Sequence, residues 1–205
     1  PTFYFGASMY TVSFDKIRYL EALKIMQQHQ VTFTILVPST IALLRPFFSK
    51  IHLPEVKYNY LGGEALPLEL AEAWSACVPN ALITNVYAPS ECTMLCMGYE
   101  LNRHAGKNHA HNGIVPFGKP WKNTTAIVVD DALCEVSEGV TGEICFAGDH
   151  VMEGYLNRSE ANQQVLFKKE IDGKLQTFYR SGDMVFKKKG IYYTCGRKDL
   201  QVKIE

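Results

Sequence analysis

A change of hydrophobic rhythm near residue 100 limits the folds open to this chain. Before it, helical and strand patterns alternate. In FDKIRYLEALKIMQQHQ, Ile17, Leu20, Leu23 and Met26 recur at helical spacing, and Asp15 stands where a carboxylate caps a helix start. VTFTILVP then reads as a β-branched strand of the fully buried kind, and Ser39 is placed to cap a helix through IALL that Pro46 limits. KYNYLGG is a second strand, Pro67 opens a helix in LPLELAEAW, and ALITNVY is a third strand. Such alternation predicts parallel strands with helices packed on them. After a polar loop, LNRHAGKNHAHNG, the rhythm becomes TTAIVVDD, GEICFAG, TFYRSGDMVF and IYYTCG, short strands with turn signals between them. The expected fold is therefore α/β: a layered sheet-and-helix unit over residues 1–110, then a small, barrel-like antiparallel β subdomain over residues 111–195.

At 205 residues with 47% hydrophobic content the chain can bury a substantial core. Its 21 basic and 21 acidic side chains cancel, so no global field draws it to nucleic acid or anionic lipid, and a small-molecule partner is expected. No stretch reaches the roughly 18 apolar residues of a membrane helix. Six scattered cysteines, none in C-x-x-C spacing and most in apolar strings, suit buried reduced thiols and a cytoplasmic setting.

Several motifs are weak alone. GIVPFGKP, residues 113–120, approaches the phosphate loop G-x-x-x-x-G-K-[ST], but Pro120 replaces the hydroxyl and no strand precedes it, so it reads as a glycine-bounded turn. His104, His109 and His111 read as a solvated loop, and Lys187, Lys188 and Lys189 as a hairpin tip. NVYAPSECT is more informative. A strand ends at Tyr87, Pro89 sets a turn, and a hydroxyl (Ser90) and a carboxylate (Glu91) follow, where α/β sheets present groups to ligands. YLGGEALP ends a strand in two glycines, with Glu64 favouring the helix start that follows. YRSGDM sets Asp183 behind a glycine turn, where a carboxylate can accept from a sugar diol.

Taken in order, YLGGEALP, NVYAPSE, GEICFAGDHVMEGYLNR, FYRSGDM and GRKDLQVKIE resemble the successive core motifs of the adenylate-forming superfamily, over residue 31 to the end. The wording is most similar to amino-acid adenylation domains of peptide synthetases and D-alanine-carrier-protein ligases. The resemblance implies that a carboxylate, an amino acid or small acid, attacks the α-phosphate of ATP to give an acyl-adenylate and pyrophosphate. The acyl group then passes to a thiol, of carrier-protein phosphopantetheine or coenzyme A. It implies ATP/AMP and Mg2+ at the site; the balanced charge and the lack of a long apolar stretch add the expectation of no nucleic-acid or membrane partner.

Carried over by position, the adenine-stacking aromatic falls on Tyr87, and Asn85 lies where an amide contacts the base. Ser90 takes the α-phosphate hydroxyl's place and Glu91 that of the magnesium-binding glutamate. Asp183 matches the ribose-binding aspartate and Arg197 the arginine that reaches ribose or phosphate. Gly62, Gly63 and Glu64 form the strand-end turn beside the nucleotide. Residues 196–205 match the hinge toward a C-terminal domain, with Asp199 as its pivot, and Lys203 lies where some relatives contact the thiol substrate. Ile35, Tyr60, Gly62, Val86 and Met94, near the strand ends, are expected to wall the acyl pocket.

Three residues depart from the family pattern: Ala88 for a usual glycine, Ser90 for threonine, and Glu153 for a common arginine. The family's phosphate loop lies upstream of these motifs and its catalytic lysine downstream. The chain is therefore expected to be the central part of a longer enzyme, inactive as an isolated fragment. The alternative is a non-catalytic nucleotide-binding or interaction module of the same fold.

Overall fold

The structure is a computed structural model that describes residues 3–13, 17–101 and 110–198. Two five-stranded sheets organise it. The first runs β1 (Phe33–Leu36), β2 (Tyr58–Gly62), β3 (Leu82–Tyr87), β4 (Met97–Glu100), β5 (Lys119–Pro120), in that spatial order. Strands β1 to β3 are parallel, as the alternating pattern predicts, and β4 and β5 join antiparallel. The three helices α1 (Arg18–Gln28), α2 (Pro38–Leu44) and α3 (Leu68–Ser75) contribute to one apolar core with Leu61 and Ile83 of the sheet.

A buried polar chain pins α3 to the sheet. The Trp74 indole N–H donates to Asn59 Oδ1 at 2.7 Å, and Asn59 Nδ2 donates to Thr34 Oγ1 at 2.7 Å. Trp74 and Asn59 are both fully buried, so every polar atom in the chain has to find a partner inside the protein, and each does.

Two local expectations change. β1 is not fully buried: Phe33 and Ile35 are about half exposed, because among the described residues the helices cover only the opposite face. Ser39 is not the N-cap of α2, a place taken by Val37. Ser39 sits in the first turn, where its N–H and hydroxyl donate to the two Glu64 carboxylate oxygens at 2.8 and 2.9 Å. Glu64 thus serves the positive end of α2, not the helix that follows it in sequence. The expected cap Asp15 lies outside the described residues.

The second sheet orders β10 (Ile191–Arg197), β9 (Lys174–Lys188), β7 (Gly142–Ala147), β6 (Thr125–Val129), with β8 (Leu166–Ile171) also on β9 and preceded by α4 (Ser159–Val165). It is antiparallel, as expected, but open: no pairing closes it into a barrel among the described residues. The fifteen-residue β9 carries β7 on one edge, and β8 and β10 in succession on the other. Its lysine run ends in the expected hairpin tip. Lys189 and Gly190 have φ of 51° and 74°, the pair of left-handed residues a tight two-residue hairpin requires.

Cys77, Cys92, Cys96 and Cys145 are buried thiols; Cys134 and Cys195 are exposed. Burial raises the Cys77 thiol from 9.0 to about 11, and burial and then the Glu143 charge raise Cys145 to about 12. The unfolded chain therefore releases these protons first as pH rises. Their stabilisation is whole below pH 9 and is lost as pH climbs through 11 to 12. We expect the denaturation midpoint of the full-length protein to fall from pH 9 upward, with a shallower fall in a Cys77→Ala/Cys145→Ala variant. Identical slopes for the two proteins would contradict this assignment.

Candidate nucleotide site

The two sheets meet at the end of β3. Tyr87 is its last residue, and the ring packs against Phe117 (centroids 4.2 Å apart) and Phe146 (5.6 Å). Its hydroxyl donates to Asp183 Oδ2, 96 residues away in sequence. The burial of the ring and the Asp183 charge push the Tyr87 phenol well above its ordinary range, so it remains the donor.

Asp183 and Arg197 reach this point through two irregularities in the second sheet. Along β7 the step from Glu143 to Cys145 is matched on β9 by the longer step from Met184 back to Arg180, a bulge containing Ser181 and Gly182. Gly182 supplies the left-handed φ of 75°. Buried Glu143 holds the bulge: its Oε1 accepts the Gly182 N–H at 3.1 Å, and its Oε2 accepts Arg180 Nη2 at 2.6 Å and Nε at 3.1 Å. The Ser181 hydroxyl donates to Ile144 O and accepts the Asp183 N–H. On β10 a second bulge at Cys195 brings Arg197 opposite Asp183, with Nη1 to Oδ2 at 3.4 Å.

The turn after β3 places the remaining groups. Ser90–Cys92 form one turn of 3-10 helix, with Ser90 exposed and Glu91 half-buried. Glu91 Oε1 accepts the Tyr155 hydroxyl at 2.6 Å. Burial, and then this bond, raise the Tyr155 phenol to about 12. Ala88, where a glycine is usual, does not have a positive φ, so its methyl carries no backbone strain here.

The structure thus brings Tyr87, Asp183 and Arg197 into one bonded cluster, with Ser90 and Glu91 on the adjoining turn. Asn85 is buried behind them, its Nδ2 donating to Pro116 O at 2.8 Å. Ile35, Tyr60, Gly62 and Val86 share one face of the first sheet, Ile35 opposite Tyr60 and Gly62 opposite Val86. A side chain at Gly62 would collide with Val86 O at 2.5 Å. Met94 is exposed on the turn that follows Glu91, and Gly63, with φ 88°, links β2 to Glu64. Asp199 and Lys203 lie outside the described residues, as do His104 and His109. Among the described residues no three His, Cys, Asp or Glu side chains gather into a metal cluster. Glu91 still suits magnesium, which is commonly held by one or two carboxylates plus phosphate oxygens and water.

Glu143, Tyr155 and Phe117 escape the sequence reading. Glu143 had a signal: a lone charge in GEICFA, a strand whose six residues are all buried. Tyr155 had none, because its partner lies 64 residues away.

The sheet presents an aromatic, a hydroxyl and carboxylates beyond a strand end, the place where α/β sheets take their ligands. Residues 1–156 match the family described as AMP-binding enzyme, and the chain belongs to that family. It is 27% identical over its whole length to a D-alanine–D-alanyl carrier protein ligase of Bacillus licheniformis, of which it covers 40%. It is 34% identical over 87% of its length to the nonribosomal peptide synthetase asaC of Aspergillus flavus, covering 17% of that protein. Among solved structures it resembles the Vibrio cholerae adenylation domain AlmE in complex with glycyl-adenosine-5'-phosphate, with TM-score 0.83 and 29% identity, over 97% of this chain and 37% of that one. The chain thus spans well under half the length of these relatives. No helix among the described residues is long and apolar enough to cross a membrane.

Proposed function

We propose that the full-length protein containing this chain joins a carboxylate, an amino acid or small acid, to the α-phosphate of ATP, releasing pyrophosphate. The acyl-adenylate then passes its acyl group to a thiol, carrier-protein phosphopantetheine before coenzyme A. One observation carries this reading: Tyr87 on β3 and the Asp183–Arg197 pair of the β9–β10 hairpin lie 96 or more residues apart in sequence, yet converge in one hydrogen-bonded cluster beside Glu91. The relatives support it. One is a D-alanyl carrier protein ligase, and one solved relative was seen with an aminoacyl-adenylate.

In this reading the Tyr87–Phe117 pair walls the base, and Asn85 holds the Pro116 backbone beside it. Asp183 exchanges the Tyr87 hydroxyl for ribose hydroxyls while Arg197 keeps its charge in place. Ser90 donates to the α-phosphate, and Glu91 holds magnesium, which would neutralise the charge that grows on the phosphate oxygens. The substrate carboxylate is held in line by a pocket that includes Ile35, Tyr60, Gly62, Val86 and Met94, and positioning supplies much of the rate. The test is pyrophosphate release by the full-length protein with ATP, magnesium and a panel of amino acids and short carboxylic acids. Release with one acid supports the ligase; silence with ATP still bound supports the non-catalytic module.

A further inference from the structure

The segment His150–Tyr155, between β7 and α4, is stitched to the turn after β3 at three points. Thr93 Oγ1 donates to His150 O at 2.6 Å, Met152 N–H donates to Glu91 O at 2.8 Å, and the Tyr155 hydroxyl donates to Glu91 Oε1 at 2.6 Å. The first two suffice to hold the backbone of the segment to the turn. The third ends on a carboxylate oxygen, and Tyr179 joins the same Glu91–Tyr155 group.

Tyr155 is itself held with unusual care. Its N–H donates to Asn162 Oδ1 at 2.7 Å, and Asn162 Nδ2 donates back to its carbonyl at 2.9 Å, a two-point clamp from α4. The clamp closes because residue 154 is glycine: a Cβ there would stand 2.9 to 3.0 Å from the Asn162 amide, and the φ of 148° disfavours any other residue.

We propose that Tyr155 is a positioning residue that fixes the Glu91 carboxylate for a divalent cation, and that Asn162 holds Tyr155 for this task. The inference rests on the reading of Glu91 as the metal ligand. A glutamate loses rotamer freedom when it binds a cation, and the bond to Tyr155 takes that loss when the protein folds. The hydroxyl is neutral, so it orients Glu91 without cancelling the charge a cation needs, as a lysine or arginine would. Partners of this kind, once removed, commonly weaken metal binding by about 10- to 100-fold.

The experiment measures Mn2+ binding by electron paramagnetic resonance on the full-length protein saturated with α,β-methylene ATP, for wild type, Glu91→Gln, Tyr155→Phe and Asn162→Ala. Glu91→Gln is expected to abolish the site, Tyr155→Phe to raise the Mn2+ dissociation constant about 10-fold, and Asn162→Ala to raise it in the same direction. In turnover, the magnesium requirement of Tyr155→Phe rises while its KM for ATP at saturating magnesium holds. Should Glu91→Gln lose Mn2+ while Tyr155→Phe and Asn162→Ala both bind it within twofold of wild type, the positioning role is wrong and the ligand role stands. Mn2+ binding that survives intact in Glu91→Gln overturns the ligand role itself, and the inference with it. If Tyr155→Phe does not fold, the Asn162→Ala constant alone decides.

Discussion

Replacing Glu91 by alanine in the full-length protein is expected to lower acid-dependent pyrophosphate release by about 100- to 1000-fold, the scale seen when one preorganised group facing transition-state charge is removed. The side chain is placed for it. Its turn follows Tyr87 directly, and its carboxylate is already oriented by Tyr155. Because Tyr87, Asp183 and Arg197, which we propose hold the base and ribose, form a separate bonded cluster, AMP should bind the variant nearly as well as the wild type. The measurement is therefore paired: AMP affinity by calorimetry and pyrophosphate release at saturating magnesium. A variant that releases pyrophosphate within tenfold of wild type would remove Glu91 from the chemistry. One that loses AMP as well would place it in general nucleotide binding.

Replacing Trp74 by alanine is expected to have the largest effect on stability. The side chain is fully buried in the helix-side core. Truncating a buried tryptophan costs about 3–5 kcal/mol. The loss of its indole N–H also leaves Asn59 Oδ1 buried without its donor, a further penalty of about 1–3 kcal/mol. Against a typical domain stability of about 5–15 kcal/mol, the combined loss of about 4–8 kcal/mol is a large share of the total. Trp74→Phe separates the two contributions, because it keeps most of the volume and removes only the donor. Urea unfolding followed by the fluorescence of the other tryptophan, Trp121, reads both variants. A midpoint for Trp74→Ala equal to that of Trp74→Phe would show that packing contributes less than the hydrogen bond.

Much of the fold was legible, because the helical and strand periods of the two halves are set by local side-chain patterns. The α3 stretch buries Leu68, Leu70, Ala71 and Trp74, and β3 appears where ALITNVY places it. What escaped was set at long range. Ser39 reads as a cap in sequence, yet it spends its donors on Glu64, 25 residues away. β1 reads as buried, but its pattern cannot show that helices cover only one of its faces in the described residues. At the site, Tyr87, Ser90 and Glu91 stand together in the sequence and could be read as a unit. Asp183 and Arg197 could be linked to them only by the family resemblance, because the bulges that aim them depend on pairing with β7 and across the hairpin. Glu143 was written in plain view as a charge in an apolar strand, but its purpose, holding Gly182, has no local signature.

The bulge at Cys195 has a bearing on how this protein can change by insertion and deletion. Between the tip at Lys189–Gly190 and Thr194 the β9–β10 ladder is in regular register, and the one extra residue then brings Arg197 opposite Asp183. A codon added at the tip lengthens an exposed loop and leaves that pairing as it is. A codon lost at position 195 removes only that extra residue, so that Thr194, Gly196 and Arg197 meet Val185, Met184 and Asp183 in one regular ladder and Arg197 stays opposite Asp183. The bulge is thus one residue of slack between tip and site, a second place besides the tip where the hairpin can change length and keep Arg197 opposite Asp183.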